Sequence, residues 1–160
     1  MANPFDFSSG DVLTAAQLNS IGSWTAYTPT FGNITLGSGG AAATIEAAYA
    51  EVNDIVCISG RLIFGSGTSI TGNVSISVPV TAENGINLAN GISLNYLDFS
   101  TSTYFVGRGR SLSTTAFYAY TYYAASTYTS LTDISDNTKP FASTWTTNDR
   151  IYFNGMYRAA

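Results

Sequence analysis

The chain has no histidine among its 160 residues. That removes the Ser-His-Asp and Cys-His nucleophilic arrangements and the commonest zinc ligand. Cysteine occurs once, at Cys57, so no intrachain disulfide can form and cysteine usage gives no redox compartment. Charge is scarce: Asp, Glu, Lys and Arg make up 10% of the chain, against about 25% in ordinary domains. Lys139 and five scattered arginines are the cations, and the net charge is −4. Phosphate binding needs clustered Lys and Arg, so nucleic acid is not expected as a partner. No apolar run approaches the roughly 18 residues of a membrane-spanning helix, so no membrane insertion is expected. Met1-Ala2-Asn3-Pro4-Phe5-Asp6 has neither the basic nor the apolar region of a signal peptide, so the expectation is synthesis in a cytoplasm without export by that route.

What replaces charge is Ser, Thr, Asn, Gly and Tyr. Hydrophobic residues still reach 45%, enough apolar material to offset chain entropy and build one core. The length fits one domain, or one domain with a short arm. A surface with so little charge invites association, which implies that neighbours cover part of it.

Residues 1–24 differ from the remainder. Asp11 to Gly22 predicts one short helix, with Thr14 as N-cap and Gln17 as its reciprocal partner. Leu13 and Leu18 form the matching staple, and Gly22 supplies the stop. Two turns are too few to stand alone. Leu13, Leu18 and Ile21 must therefore dock, on the body of the protein or on the same helices of other copies.

Residues 25–160 read as strands. Ile55 to Phe64 is rich in β-branched residues between Asp54 and Gly65. Val74, Ile76 and Val78 alternate with serines up to Pro79. Ile92 to Phe99 alternates less cleanly. Ile151, Phe153 and Tyr157 form the inward set of a last strand. Turn signals fall at Gly32-Asn33, Ser38-Gly39-Gly40, Gly65-Ser66-Gly67, Thr71-Gly72-Asn73 and Asn90-Gly91. The expected class is all-β, an antiparallel sandwich or jelly roll.

Catalytic and metal-binding signals are weak, and no cofactor is expected. Cys57 sits in an apolar strand and reads as a small buried hydrophobe. Asp54, Asp133, Asp136 and Asp149 occupy turn positions, where turn and cap chemistry outweighs a glycosidase pair. Asp133 to Asn137 lacks the spacing of a calcium loop. No Gly-rich loop runs into a Lys-Ser or Lys-Thr helix start. Arg108 and Arg110 share one strand face. So do Tyr118, Tyr120 and Tyr122, with Phe117 and Tyr123 opposite. One of these rows fills the core, and the other presents amphipathic rings to a subunit interface or a sugar.

Phe7 to Asn19, continued by Trp24-Thr25-Ala26-Tyr27-Thr28-Pro29-Thr30, resembles the opening of bacteriophage tail-fibre and minor tail proteins. Tyr49, Val52-Asn53, Gly60, Phe64-Gly65 and Ser75 to Val80 follow in the order typical of that group. Pro140-Phe141, Trp145, Asp149, Ile151 to Gly155 and Tyr157-Arg158 resemble its closing motif. Asn53 and Asn148 stand where glycine is expected, and asparagine tolerates the left-handed turn geometry. Residues 100–138 match nothing in the group. The resemblance implies a homotrimeric, β-rich virion protein assembled in the host cytoplasm, with no catalytic residues to carry over.

Three expectations follow. The first is a tail-fibre protein or receptor-binding knob, adhering to a host-surface glycan through weak contacts multiplied by valency. The second is a trimeric capsid decoration protein that bridges neighbouring virion subunits and stabilises the shell by mass action. The third, a polysaccharide depolymerase, needs two carboxylates roughly 5–10 Å apart in a groove. A monomeric enzyme fits least.

Overall fold

A computed structural model describes residues 12, 14–15, 21–39, 42–84, 88, 90–125, 128–134, 140 and 144–160. Its named elements are ten strands: β1 (Thr25–Ala26), β2 (Phe31–Gly39), β3 (Thr44–Val52), β4 (Ile55–Ile63), β5 (Ser66–Ser77), β6 (Ile92–Asp98), β7 (Thr103–Ser111), β8 (Ala116–Ala125), β9 (Tyr128–Asp133) and β10 (Arg150–Arg158). The helix expected over 11–22 falls mostly outside the described residues. Leu13, Gln17 and Leu18 are not described, whereas Ile21 is, and it lies exposed rather than docked on this chain.

All strand pairs are antiparallel, and one hydrogen-bonded ladder runs β1-β3-β4-β10-β6-β7-β8-β5-β2, with β9 also on β8. The all-β class is therefore as expected. The sheet curls into a half-barrel. The C-terminal strand β10 holds the centre, paired over its length with β4 and over Arg150–Gly155 with β6. The strand following the long excursion through residues 64–149 thus returns beside β4 and ties both halves of the chain together.

Alternation decides which face is which. Val56, Ile58, Leu62 and Phe64 point inward from β4 and its end, Leu94 and Tyr96 from β6, Phe117 and Ala119 from β8, and Ile151, Phe153 and Tyr157 from β10, all buried in one core. Each such large side chain contributes roughly 1.5–3 kcal/mol by leaving water. Trp145 closes the core, stacked on Phe64 at 4.6 Å between centroids and edge-on to Tyr96 at 6.2 Å. Gly60 interrupts the inward row of β4 because Phe153 lies across it: a Cβ there would sit 2.7 Å from that of Ala47 and run into the Phe153 ring. Cys57 corrects its expectation. It is half-buried on the outward face, opposite Ala50 and Met156 in register, because it is one residue out of phase with Val56 and Ile58.

Two turn signals prove to be something else. Gly32-Asn33 lies inside β2 and Thr71-Gly72-Asn73 inside β5, facing each other where the β2–β5 register shifts. Asn33 is left-handed, with φ 61°, and its Nδ2 donates to the Asn73 carbonyl at 2.8 Å. Bulges use the same Gly and Asn chemistry as turns. By contrast, Asn53 in the β3–β4 turn and Asn148 before β10 take φ of 54° and 73°, the left-handed geometry anticipated for both.

The stretch that matched no motif has its own logic. Strand β8 pairs with β5 through Ala116–Tyr118, then with β9 through Tyr120–Ala125 on the same side. Ile134 fills the fork between them. Its N–H donates to the Ala119 carbonyl and its carbonyl accepts from Val74, while its side chain is wholly buried.

Candidate functional site

Two features of the outward face stand out. The first is a shallow depression of about 530 Å³ lined chiefly by Trp24, Glu46, Ala48, Ser59, Arg61 and Tyr152. Its shape follows from register. Glu46, Arg61 and Tyr152 are aligned across β3, β4 and β10, and Ala48 and Ser59 are aligned in the next row. Small side chains make a trough in that second row, and Trp24, immediately before β1, stands at its edge with 57% of its surface exposed. Arg61 grips Glu46 as a fork, Nε to Oε2 at 2.8 Å and Nη2 to Oε1 at 3.0 Å. The hydrogen bond from Arg61 holds the Glu46 carboxyl below its ordinary pKa. The site thus offers two rings, a neutralised ion pair and a serine hydroxyl. Of these residues, Trp24 and Tyr152 stood in motifs read from the sequence, and Ser59 and Arg61 in the strand read from Ile55 to Phe64.

The second feature is the outward face of β7, β8 and β9, which carries the predicted contact residues. Arg108 and Arg110 do share that face with Tyr118, Tyr120 and Tyr122, since Arg108 is registered with Tyr120 and Arg110 with Tyr118. The inward row filling the core is Phe117, Ala119 and Thr121; the Tyr123 side chain is outside the described residues. Tyr120 is nevertheless only 8% exposed. Arg110 lies over it, with the guanidinium carbon 5.1 Å from the ring centroid and Nη1 donating to the Tyr120 hydroxyl at 2.8 Å. Arg108 instead turns to Asn90 Oδ1 at 2.6 Å. Neither arginine is paired with a carboxylate among the described contacts. Tyr104, Val106, Tyr122 and Leu131 remain exposed beside them. The tyrosine row is therefore divided: Tyr120 is covered by its own chain, and Tyr122 is open.

Several acids are committed to structure. Asp149 is buried and accepts from the Thr146 N–H and hydroxyl and from the Phe99 N–H. Asp98 accepts from the N–H and hydroxyl of Ser100 and the N–H of Thr101. The Ser100 hydroxyl is the main cause of its lowered carboxyl pKa. Asp54 and Glu83 both face Arg158. Among the described residues no three His, Cys, Asp or Glu side chains gather as a metal site. The Asp133–Asn137 stretch is described only at Asp133 and Ile134. No helix among the described residues is long and apolar enough to cross a membrane.

The residues that carry the tail-protein resemblance, where described, are packing and turn residues. Tyr49 meets Tyr27 edge-on at 5.9 Å. Gly60 accommodates Phe153, and Phe64 stacks on Trp145. The Tyr157 hydroxyl donates to the Val80 carbonyl at 2.7 Å, joining the last strand to the Pro79-Val80 segment. They specify a β framework, and they say nothing about a reaction. No protein-family model, curated protein or solved structure matches the chain.

Proposed function

We propose that this chain is a non-enzymatic structural subunit of a bacteriophage virion, a tail-fibre or minor tail protein or receptor-binding knob that works by adhesion as a homotrimer. The observation that carries this reading is the outward face of β7–β9. Tyr104, Val106, Tyr122 and Leu131 lie uncovered there, on a protein that already has a closed core on the other face of the same sheet. Large exposed aromatic and aliphatic groups side by side mark a surface that another body covers. In this reading residues 25–160 form the sandwich- or jelly-roll-like body and residues 1–24 the anchor, with Leu13, Thr14, Gln17, Leu18 and Ile21 joining copies. The exposure of Ile21 on the single chain is consistent with that role. The order of motifs from Trp24 to Arg158, and the left-handed Asn53 and Asn148 at expected glycine positions, add support.

A second reading is a capsid decoration protein. Trp24, Val52, Ile55 and Met156 form a further exposed apolar group at the end of the sheet where the N-terminal segment enters. A shell-binding trimer needs such a surface beside its arm. A depolymerase is disfavoured by the acids committed to turns and ion pairs.

Imaging whole particles and locating the density of this chain tests the proposal. Density on tails or fibres supports adhesion. Density on the capsid lattice replaces it with decoration, and absence from the particle overturns both.

A further inference from the structure

We propose that the depression between Trp24 and Tyr152 is a binding site for a neutral pyranose sugar unit of a surface polysaccharide. The inference rests on the adhesion reading for its biological role, and it locates the contact away from the β7–β9 tyrosines.

The chemistry of the lining selects the ligand. A pyranose ring has one face of C–H groups and an equator of hydroxyls, so it needs an aromatic platform beside paired donors and acceptors. Trp24 supplies a large exposed ring, and Tyr152 supplies a second across the floor of Ala48 and Ser59. Arg61 spends two of its five N–H groups on Glu46, leaving three donors, and each Glu46 oxygen keeps a lone pair. Adjacent hydroxyls of a sugar can therefore donate a hydrogen bond to Glu46 and accept one from Arg61, the arrangement a vicinal diol fits. Ser59, exposed on the floor, adds a hydroxyl that donates and accepts.

Charge decides against other classes. The Arg61–Glu46 pair is neutral as a unit, so nothing here favours a phosphate, sulfate or uronate over an uncharged ring, and Glu46 opposes an anion brought close. The volume, about 530 Å³, suits one or two sugar rings rather than a folded partner. Except for Trp24, the named lining residues sit on three paired strands, so the site is held in shape before a ligand arrives.

Ligand-observed saturation-transfer NMR on the full-length assembled protein tests this. The probes are short oligosaccharides cut from a glucan, a galactan and a mannan, beside those of a polygalacturonate. The expected result is transfer to at least one neutral probe, with Kd on the order of 1 mM per site, and little to the uronate. Trp24→Ala should weaken that binding by about tenfold, the worth of one stacked ring. Ser59→Tyr should fill the floor and abolish binding while the melting temperature and near-UV signal of the buried Trp145 stay put. No transfer to any neutral probe, equal binding by Trp24→Ala, or preference for the uronate each overturns the site. So does failure of acrylamide to quench Trp24 in the assembled protein, which would mean that another copy covers it. Tail density without sugar binding defeats this inference alone. Sugar binding by a chain located on the capsid defeats the adhesion reading and leaves the site standing.

Discussion

The carboxylate of Asp149 accepts the backbone N–H of Phe99 at 2.9 Å, across 50 residues of sequence. Its other oxygen accepts the Thr146 N–H at 2.6 Å and the Thr146 hydroxyl at 3.2 Å. One buried side chain thus pins the β6–β7 loop to the turn that launches the central strand β10. Asp149→Ala strips an acceptor from three donors at once. It should cost roughly 2–4 kcal/mol, since each buried donor left unpaired costs about 1–3 kcal/mol and some will find water. Urea denaturation measures it. A loss below about 0.5 kcal/mol, the range of ordinary surface changes, would show that the pin does not matter.

Gly60 makes the companion case in the core. A Cβ added there meets the Phe153 ring and the Ala47 Cβ, on strands to either side. Gly60→Ala should destabilise by about 1–3 kcal/mol, the range for overpacking. Phe153→Leu in the same chain should recover part of that loss, because the two sites share one volume and do not add. Strictly additive single and double variants would place the clash elsewhere.

Much of this framework was legible in the sequence, for a physical reason. Val56, Ile58, Ile151 and Phe153 alternate strictly because their strands bury one face only. Asn53 and Asn148 were legible as turns because they stand where the resemblance expects glycine, and asparagine also tolerates left-handed backbone. What escaped depends on partners. Gly32-Asn33 and Thr71-Gly72-Asn73 carry turn chemistry, and only the β2–β5 register shows them to be facing bulges. The Trp24 depression draws residues from the approach to β1 and from β3, β4 and β10, and its floor consists of side chains too small to give a signal. Tyr120 was rightly placed on one face with Tyr118 and Tyr122, but its cover, Arg110, could be seen only with the β7–β8 register in hand.

Alkali should destabilise the protein through its buried tyrosines. Burial raises the Tyr157 pKa to about 12, raises that of the fully buried Tyr96 well above its ordinary value, and raises Tyr27 too. A phenol with a higher pKa folded than unfolded holds its proton more tightly in the native state. Its contribution is therefore complete below the unfolded value near 10 and is lost as pH rises towards the folded one. Unfolding free energy should fall from about pH 10 upward. Phenolate absorbance of the three rings should appear together with the loss of near-UV signal. Titration of all tyrosines on a still-folded protein would contradict their burial.

The β7–β9 face gives the sharpest test of the assembly. Val106 and Tyr122 are 57% and 47% exposed on the single chain, and Leu131 is registered directly opposite Tyr122. On an isolated subunit, Val106→Asp or Tyr122→Glu should change stability by no more than about 1 kcal/mol, the span of strand propensities. In an oligomer that covers this face, the same carboxylate loses its water, and the cations of the face, Arg108 and Arg110, are already turned to Asn90 and to the Tyr120 hydroxyl, a cost of several kcal/mol. Sedimentation of the two variants should then show a smaller species with an unchanged far-UV spectrum. Tyr120→Ala should leave the oligomer less affected than Tyr122→Glu, because Tyr120 is already covered by Arg110 of its own chain. An oligomer that survives both charged variants would free the face from assembly.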